Sequence, residues 1–104
     1  MSQSFSYKLT TENEQFTFDF SNVLGSTETI SGTPAVAITV KEGVDPSPSA
    51  MLLGVALVSG PRVAQRIYGG LDQVTYRLEM SVTTSLTNVY TLVGDLPVLA
   101  PISL

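Results

Sequence analysis

The side chains of this 104-residue chain that could carry chemistry are carboxylates, arginines and hydroxyls, because it contains neither histidine nor cysteine. That excludes disulfides, imidazole and thiolate metal sites, and the groups that most often act as nucleophile or proton carrier near neutral pH. The nine carboxylates, Glu12, Glu14, Asp19, Glu28, Glu42, Asp45, Asp72, Glu79 and Asp95, are scattered one per element or loop. They lack the spacing of an EF-hand loop or of a glycosidase pair on one strand, so solvated surface is their expected place. Glu12, Glu14 and Asp45 could gather a calcium ion between loops if the fold brought them together. An enzyme would need an acid–base pair built from Asp, Glu, Tyr or Lys, with Asp19 and Glu79 as the residues to delete. Serine and threonine are abundant, yet there is no histidine and no close Ser–Lys constellation to activate one. The expectation is a protein that is not an enzyme and takes no cofactor or metal.

Arg62, Arg66 and Arg77 fall on candidate strands around Gly69–Gly70, and Arg77 shares a strand face with Glu79. Two readings stand side by side: cross-strand ion pairs on the solvent side, or anchors between subunits. Five Lys and Arg against nine Asp and Glu give a net charge of −4, which argues against a surface that tracks nucleic-acid phosphates. Only 13% of residues are charged and 43% are apolar, against a usual charged share of about 25%. Such a composition suits a chain that spends its life inside an assembly.

The elements that must position these groups read as strands. Val74, Tyr76, Leu78, Met80 and Val82 alternate with Thr75, Arg77, Glu79, Ser81 and Thr83, the period-two pattern of a half-buried strand over 74–85. Phe5, Tyr7 and Leu9 alternate with polar residues, as do Phe16, Phe18 and Phe20 after a turn at 11–14, and those three rings are expected on one core face. A short strand is expected over 26–30, a turn at 31–34, and a strand over 35–40 covered on both faces. Lys41–Ser49, with a glycine and two prolines, reads as an exposed loop. Ala50–Ser59 is an apolar run read as a strand with a bulge or close approach at Gly54, followed by a strand over 62–68 and a last one over 89–93. Seven or eight short strands at regular turn spacing predict an all-β antiparallel sandwich in a single domain. No apolar run approaches the roughly twenty residues that span a bilayer, so no membrane partner is expected.

Residues 94–104, GDLPVLAPISL, carry no charge after Asp95 and contain two prolines. The division expected is a sandwich over 1–93 and an extended apolar C-terminal arm over 94–104, docked on a neighbour, with a final edge strand covering its own core as the alternative. Candidate interface residues are therefore Arg62, Arg66, Arg77, Leu96, Val98, Leu99, Ile102 and Leu104.

The run Phe18–Gly25, FDFSNVLG, followed by Glu28–Thr29–Ile30, resembles the FDWSDWLG…ETI opening of a group of small tailed-bacteriophage structural proteins. Val63–Gly70, then Tyr76–Arg77–Leu78 and Val82–Ser85, is similar to that group's V…SGG–x–x–G–x–x–Y–x–L…VTT pattern, and Tyr90–Leu92 with Leu96–Pro97–Val98 is similar to its closing strand. The resemblance spans about residues 16–98. Departures are Phe20 at the usual tryptophan, Asp72 or Gln73 where a glycine is expected, and Leu86–Asn88 where Gly-Arg is common. The resemblance implies an Ig-like sandwich and a virion component of the fibre–tail or head–tail adaptor group. The function expected is a structural adaptor connecting fibres or tail to the particle through strand edges and the arm. The alternatives are a capsid decoration protein and, behind it, a carbohydrate- or receptor-binding module. Expected partners are other virion proteins and further copies of the chain, with synthesis in the host cytoplasm.

Overall fold

Strand β7 (Val74–Thr84) shows why this sequence builds a sandwich: its inward residues Tyr76 and Met80 are fully buried, with Leu78 and Val82 nearly so, while the residues between them stay in contact with water. The computed structural model describes residues 2–5 and 7–103. One sheet has the order β1/β2–β8–β7–β4, from β1 (Ser2–Ser4), β2 (Lys8–Leu9), β8 (Val89–Leu99), β7 and β4 (Ile30–Glu42). The other is β3 (Asn13–Asp19), β6 (Arg62–Tyr68) and β5 (Leu52–Ser59), in the order β3–β6–β5. β1 and β2 act as one interrupted strand that runs parallel to β8, and the other pairings are antiparallel. The all-β sandwich of seven strands is thus as expected.

Phe16, Phe18 and Phe20 share the core face of the second sheet, and Phe5 stands edge-on to two of them, 5.0 Å from Phe16 and 5.5 Å from Phe18. Such edge-to-face contacts add to the area the rings bury. Gly94 of β8 lies under the Phe5 ring, where any Cβ would collide with it. Here the glycine is required by close approach.

Several expected boundaries move. β3 starts at Asn13, and the turn is tighter than expected, closed by Glu12 N–H donating to the Leu9 carbonyl at 3.1 Å. No strand forms over 26–29. The expected turn at 31–34 is instead a bulge inside the long β4, where the register against β7 slips between Ser31 and Ala35 and Gly32 adopts φ 72°. An extra loop of residues on one strand lets a ladder continue past Gly and Pro that would stop a flat strand. The 35–40 segment is covered on one face only, with Ala35, Ala37 and Thr39 exposed. Ala50 and Met51 belong to a 3-10 turn, Pro48–Met51, before β5.

The largest correction concerns the arm. Residues 94–99 continue β8, with 94–98 paired to β7 and Leu99 to β2, and Leu96 and Val98 are wholly buried in the chain's own core. The sandwich does not end at 93. Pro97 is tolerated because it sits opposite the break between β1, which pairs with 93–95, and β2, which pairs with 98–99. Only Ala100–Ser103 leaves the sheet, as a 3-10 turn over Pro101–Ser103.

Candidate docking surface

β5 is an edge strand of sequence LLGVALVS, without a charged side chain. Leu53 and Leu57 stand opposite Arg66 and Ala64 of β6 and so share the outer face of that sheet. Leu53, Val55 and Leu57 are 40%, 74% and 60% exposed. Three apolar side chains in water at alternate positions of one strand are an association surface unless a partner covers them.

The strand is held in an irregular shape. Gly54, expected to mark a bulge, has φ 74° within a register slip between Leu53 and Leu57. Gln65, nearly fully buried between Val63 and Ile67, donates its side-chain amide to the carbonyls of Leu53 (3.2 Å), Gly54 (3.3 Å) and Arg66 (3.0 Å). A bulge whose carbonyls are bonded from beneath is a built feature that aims Val55 outward. The alternation over 62–68 places Gln65 on the core side, and only the structure shows what it does there.

The three arginines do not converge. Arg62 and Arg66 rim the outer face of the β3–β6–β5 sheet. Arg62 lies 3.6 Å from Asp19, and Arg66 donates to Asn13 Oδ1 at 3.2 Å. Arg77 is on the other sheet, 3.2 Å from Asp95, which also takes Lys41 at 2.6 Å. Lys41 first and then Arg77 hold the Asp95 carboxyl below its ordinary range. Arg77 and Asp95 sit on paired strands, whereas Lys41 reaches Asp95 from β4 across β7; both contacts are at least partly exposed, so each adds little stability. Glu12 caps Leu9 N–H, and Asp45 accepts from Tyr76 Oη at 2.6 Å, whose phenol is pushed up to about 12 by burial and then by that carboxylate. No acidic group capable of holding a metal forms among the described residues, so the calcium grouping of Glu12, Glu14 and Asp45 does not assemble.

At the end of the sandwich where β5 turns into β6, the two sheets leave an apolar cleft of about 490 Å³, lined by Leu24, Ile30, Val58 and Pro61 among others. Val58 points to the inner face opposite Val63 but is 42% exposed, because nothing from the other sheet covers it. One wall is fixed by Glu28. Its carboxylate accepts from Gly25 N–H (2.9 Å), Thr84 Oγ1, Asn88 Nδ2 (2.9 Å) and Tyr90 Oη (3.4 Å). These bonds, the Gly25 amide first, draw its pKa down despite burial. Nothing in the sequence pattern marks Glu28 as buried.

At the opposite end, Lys8 is another polar residue that sequence reading missed. Its stem is buried and its Nζ donates to the carbonyls of Gly69 (2.7 Å) and Leu9 (2.8 Å), with desolvation lowering its pKa. Asp72 holds the turn after β8, accepting from Ala100 N–H at 2.8 Å and Ser103 Oγ at 2.7 Å. On that turn Ile102 is 93% exposed. Of the expected interface residues, Leu96 and Val98 are core, Leu99 is half-buried, Ile102 is free, and Leu104 lies outside the described residues.

An apolar strand rimmed by arginines on a rigid sandwich is the composition of a protein-binding module. A family model described as "Podophage GP4 fiber-tail adaptor protein gp77" matches residues 8–93, most of the chain. The chain belongs to this family of phage fibre–tail adaptors. The match agrees with the resemblance carried by Phe18–Gly25 and Val63–Gly70. No curated protein and no solved structure matches the chain.

Proposed function

We propose that this chain is a non-enzymatic virion protein that joins tail fibres to the tail, and that the outer face of β5 is the surface it offers its partner. The observation that carries this is the exposure of Leu53, Val55 and Leu57 on a strand without charge, flanked by Arg62 and Arg66. Because the bulge interrupts the ladder, β5 offers a side-chain face more than a continuous row of N–H and C=O groups. Arg62 and Arg66, bonded only to surface side chains, are free to re-pair with a partner's carboxylates and set its orientation. The strand order, with the first strand parallel to the last and β3–β6–β5 facing β4–β7–β8, supports an immunoglobulin-like reading of the sandwich.

The test is particle assembly with a chain carrying Val55→Asp and Leu57→Asp. Both positions face water, so the domain stays folded, and the charged strand is expected to leave the chain out of particles. Normal incorporation would sink the docking role of β5. Quantifying the chain against the major capsid protein separates adaptor from decoration protein: a minor copy number fits the adaptor, and near-capsid abundance overturns it.

A further inference from the structure

The molecule carries an apolar knob at one end and an apolar hole at the other. The knob is Ile102, on the turn over 101–103 that Asp72 fixes by two hydrogen bonds, 2.8 Å to Ala100 N–H and 2.7 Å to Ser103 Oγ. The hole is the cleft of about 490 Å³ lined by Leu24, Ile30, Val58 and Pro61. β7 separates them. Its start, Val74, pairs with Val98 beside the knob, and its end, Thr84, pairs with Ile30 in the cleft wall. Ten residue steps of strand amount to roughly 33 Å, so Ile102 cannot reach the cleft of its own chain. The molecule is elongated to match, with extents of 47 × 23 × 21 Å.

The geometry points to a second copy of this chain as the occupant of the cleft, with Ile102 of one copy seated between Leu24, Ile30, Val58 and Pro61 of the next. Charge agrees. Pro101, Ile102 and Ser103 are uncharged, and the single charged residue lining the cleft is Glu28, whose carboxylate is already engaged by Gly25, Thr84, Asn88 and Tyr90. The knob is held before contact, so docking orders little that was free. Because donor and acceptor surfaces differ, the contact is heterologous: a pair still has one free knob, on one copy, and one free hole, on the other, and growth continues until a ring closes. This deepens the adaptor reading and rests on it, since a closed ring would present β5 repeatedly around one axis.

The test uses the full chain in solution. Sedimentation of the unaltered protein over a range of concentrations is expected to show growth beyond the dimer. Ile102→Asp removes the knob and Val58→Asp spoils the hole, and each alone is expected to weaken association by at least about tenfold. Mixed in equal amounts, the two variants are expected to form a dimer and stop, because the first lends its hole and the second its knob. A monomer at every concentration, either variant assembling normally, or a mixture without dimer overturns the inference. The chain has no cysteine of its own, so a Val58→Cys, Ile102→Cys double variant gives a second readout that needs no charge in the cleft. Oxidation should yield a covalent ladder, and single-cysteine variants no more than dimers; absence of the ladder also overturns the inference. A chain that stays monomeric yet enters particles sinks head-to-tail assembly and leaves the adaptor role standing. One that assembles yet never enters particles does the reverse.

Discussion

Leu96 and Ile102 are both aliphatic and lie on the same short stretch after Gly94, yet the first is wholly buried and the second 93% exposed. Leu96→Ala is expected to lower stability by about 2–5 kcal/mol in urea titration, and Ile102→Ala to change it by less than about 0.5 kcal/mol. Removing residues 96–103 should unfold the domain, where removing 101–103 should not; circular dichroism of the two truncations checks this. Acid reports on the carboxylates. Glu28, held down first by the Gly25 amide, and Asp72, held down first by the Ala100 amide, bind protons less readily folded than unfolded. Their contribution is therefore complete above the ordinary carboxylate range near 4 and is lost as pH falls through their lowered values. The urea midpoint should drop on acidification below about pH 4, and Glu28→Gln should flatten that drop. A composition without histidine or cysteine is legible at a glance, but which carboxylate or lysine is buried is not. Lys8, Glu28 and Gln65 are placed by partners far along the chain: Gly69 for the first, Thr84 and Asn88 for the second, Leu53 for the third.

Strands were legible where one face meets a core and the other meets water, as in β7 and β3, because alternation then records burial directly. β4 and β8 were shortened in the reading for a common reason: Gly32 and Pro34 in one, Gly94 and Pro97 in the other, look like stops. In the structure the first pair sits in a bulge and the second admits a phenyl ring and faces a gap between neighbours. β5 was read correctly as a strand and its bulge was located, but exposure of its face was not visible, since an apolar run looks the same whether a sheet or a partner covers it. At Gly54 a Cβ would meet no atom within 4 Å, so only the left-handed φ of 74° opposes a side chain there. Gly54→Ala is expected to cost about 1 kcal/mol, through backbone strain alone. Gln65→Leu strips the bulge of its donor and should cost about 1–3 kcal/mol, with faster hydrogen exchange along β5 as the local readout.

Across the whole molecule, fold class followed from turn spacing, and the assembly role from low charge together with the family resemblance. The parallel pairing of β1 and β2 with β8 was beyond reach, because it joins segments some ninety residues apart. It has a mechanical consequence for a component placed between a fibre and a tail. Tension entering before Ser2 and leaving after Leu99 pulls the first and last strands in opposite directions along their common axis. The backbone bonds of residues 2–4 with 93–95 and of 8–9 with 98–99 are then loaded in shear, all together, and Phe5 wedged over Gly94 resists the slide. Pulling instead on residues 57 and 64, partners in the β5–β6 hairpin, peels its bonds one at a time. Single-molecule extension should therefore show a higher rupture force from the ends than from the hairpin: the sandwich resists most along the line that joins its first strand to its last.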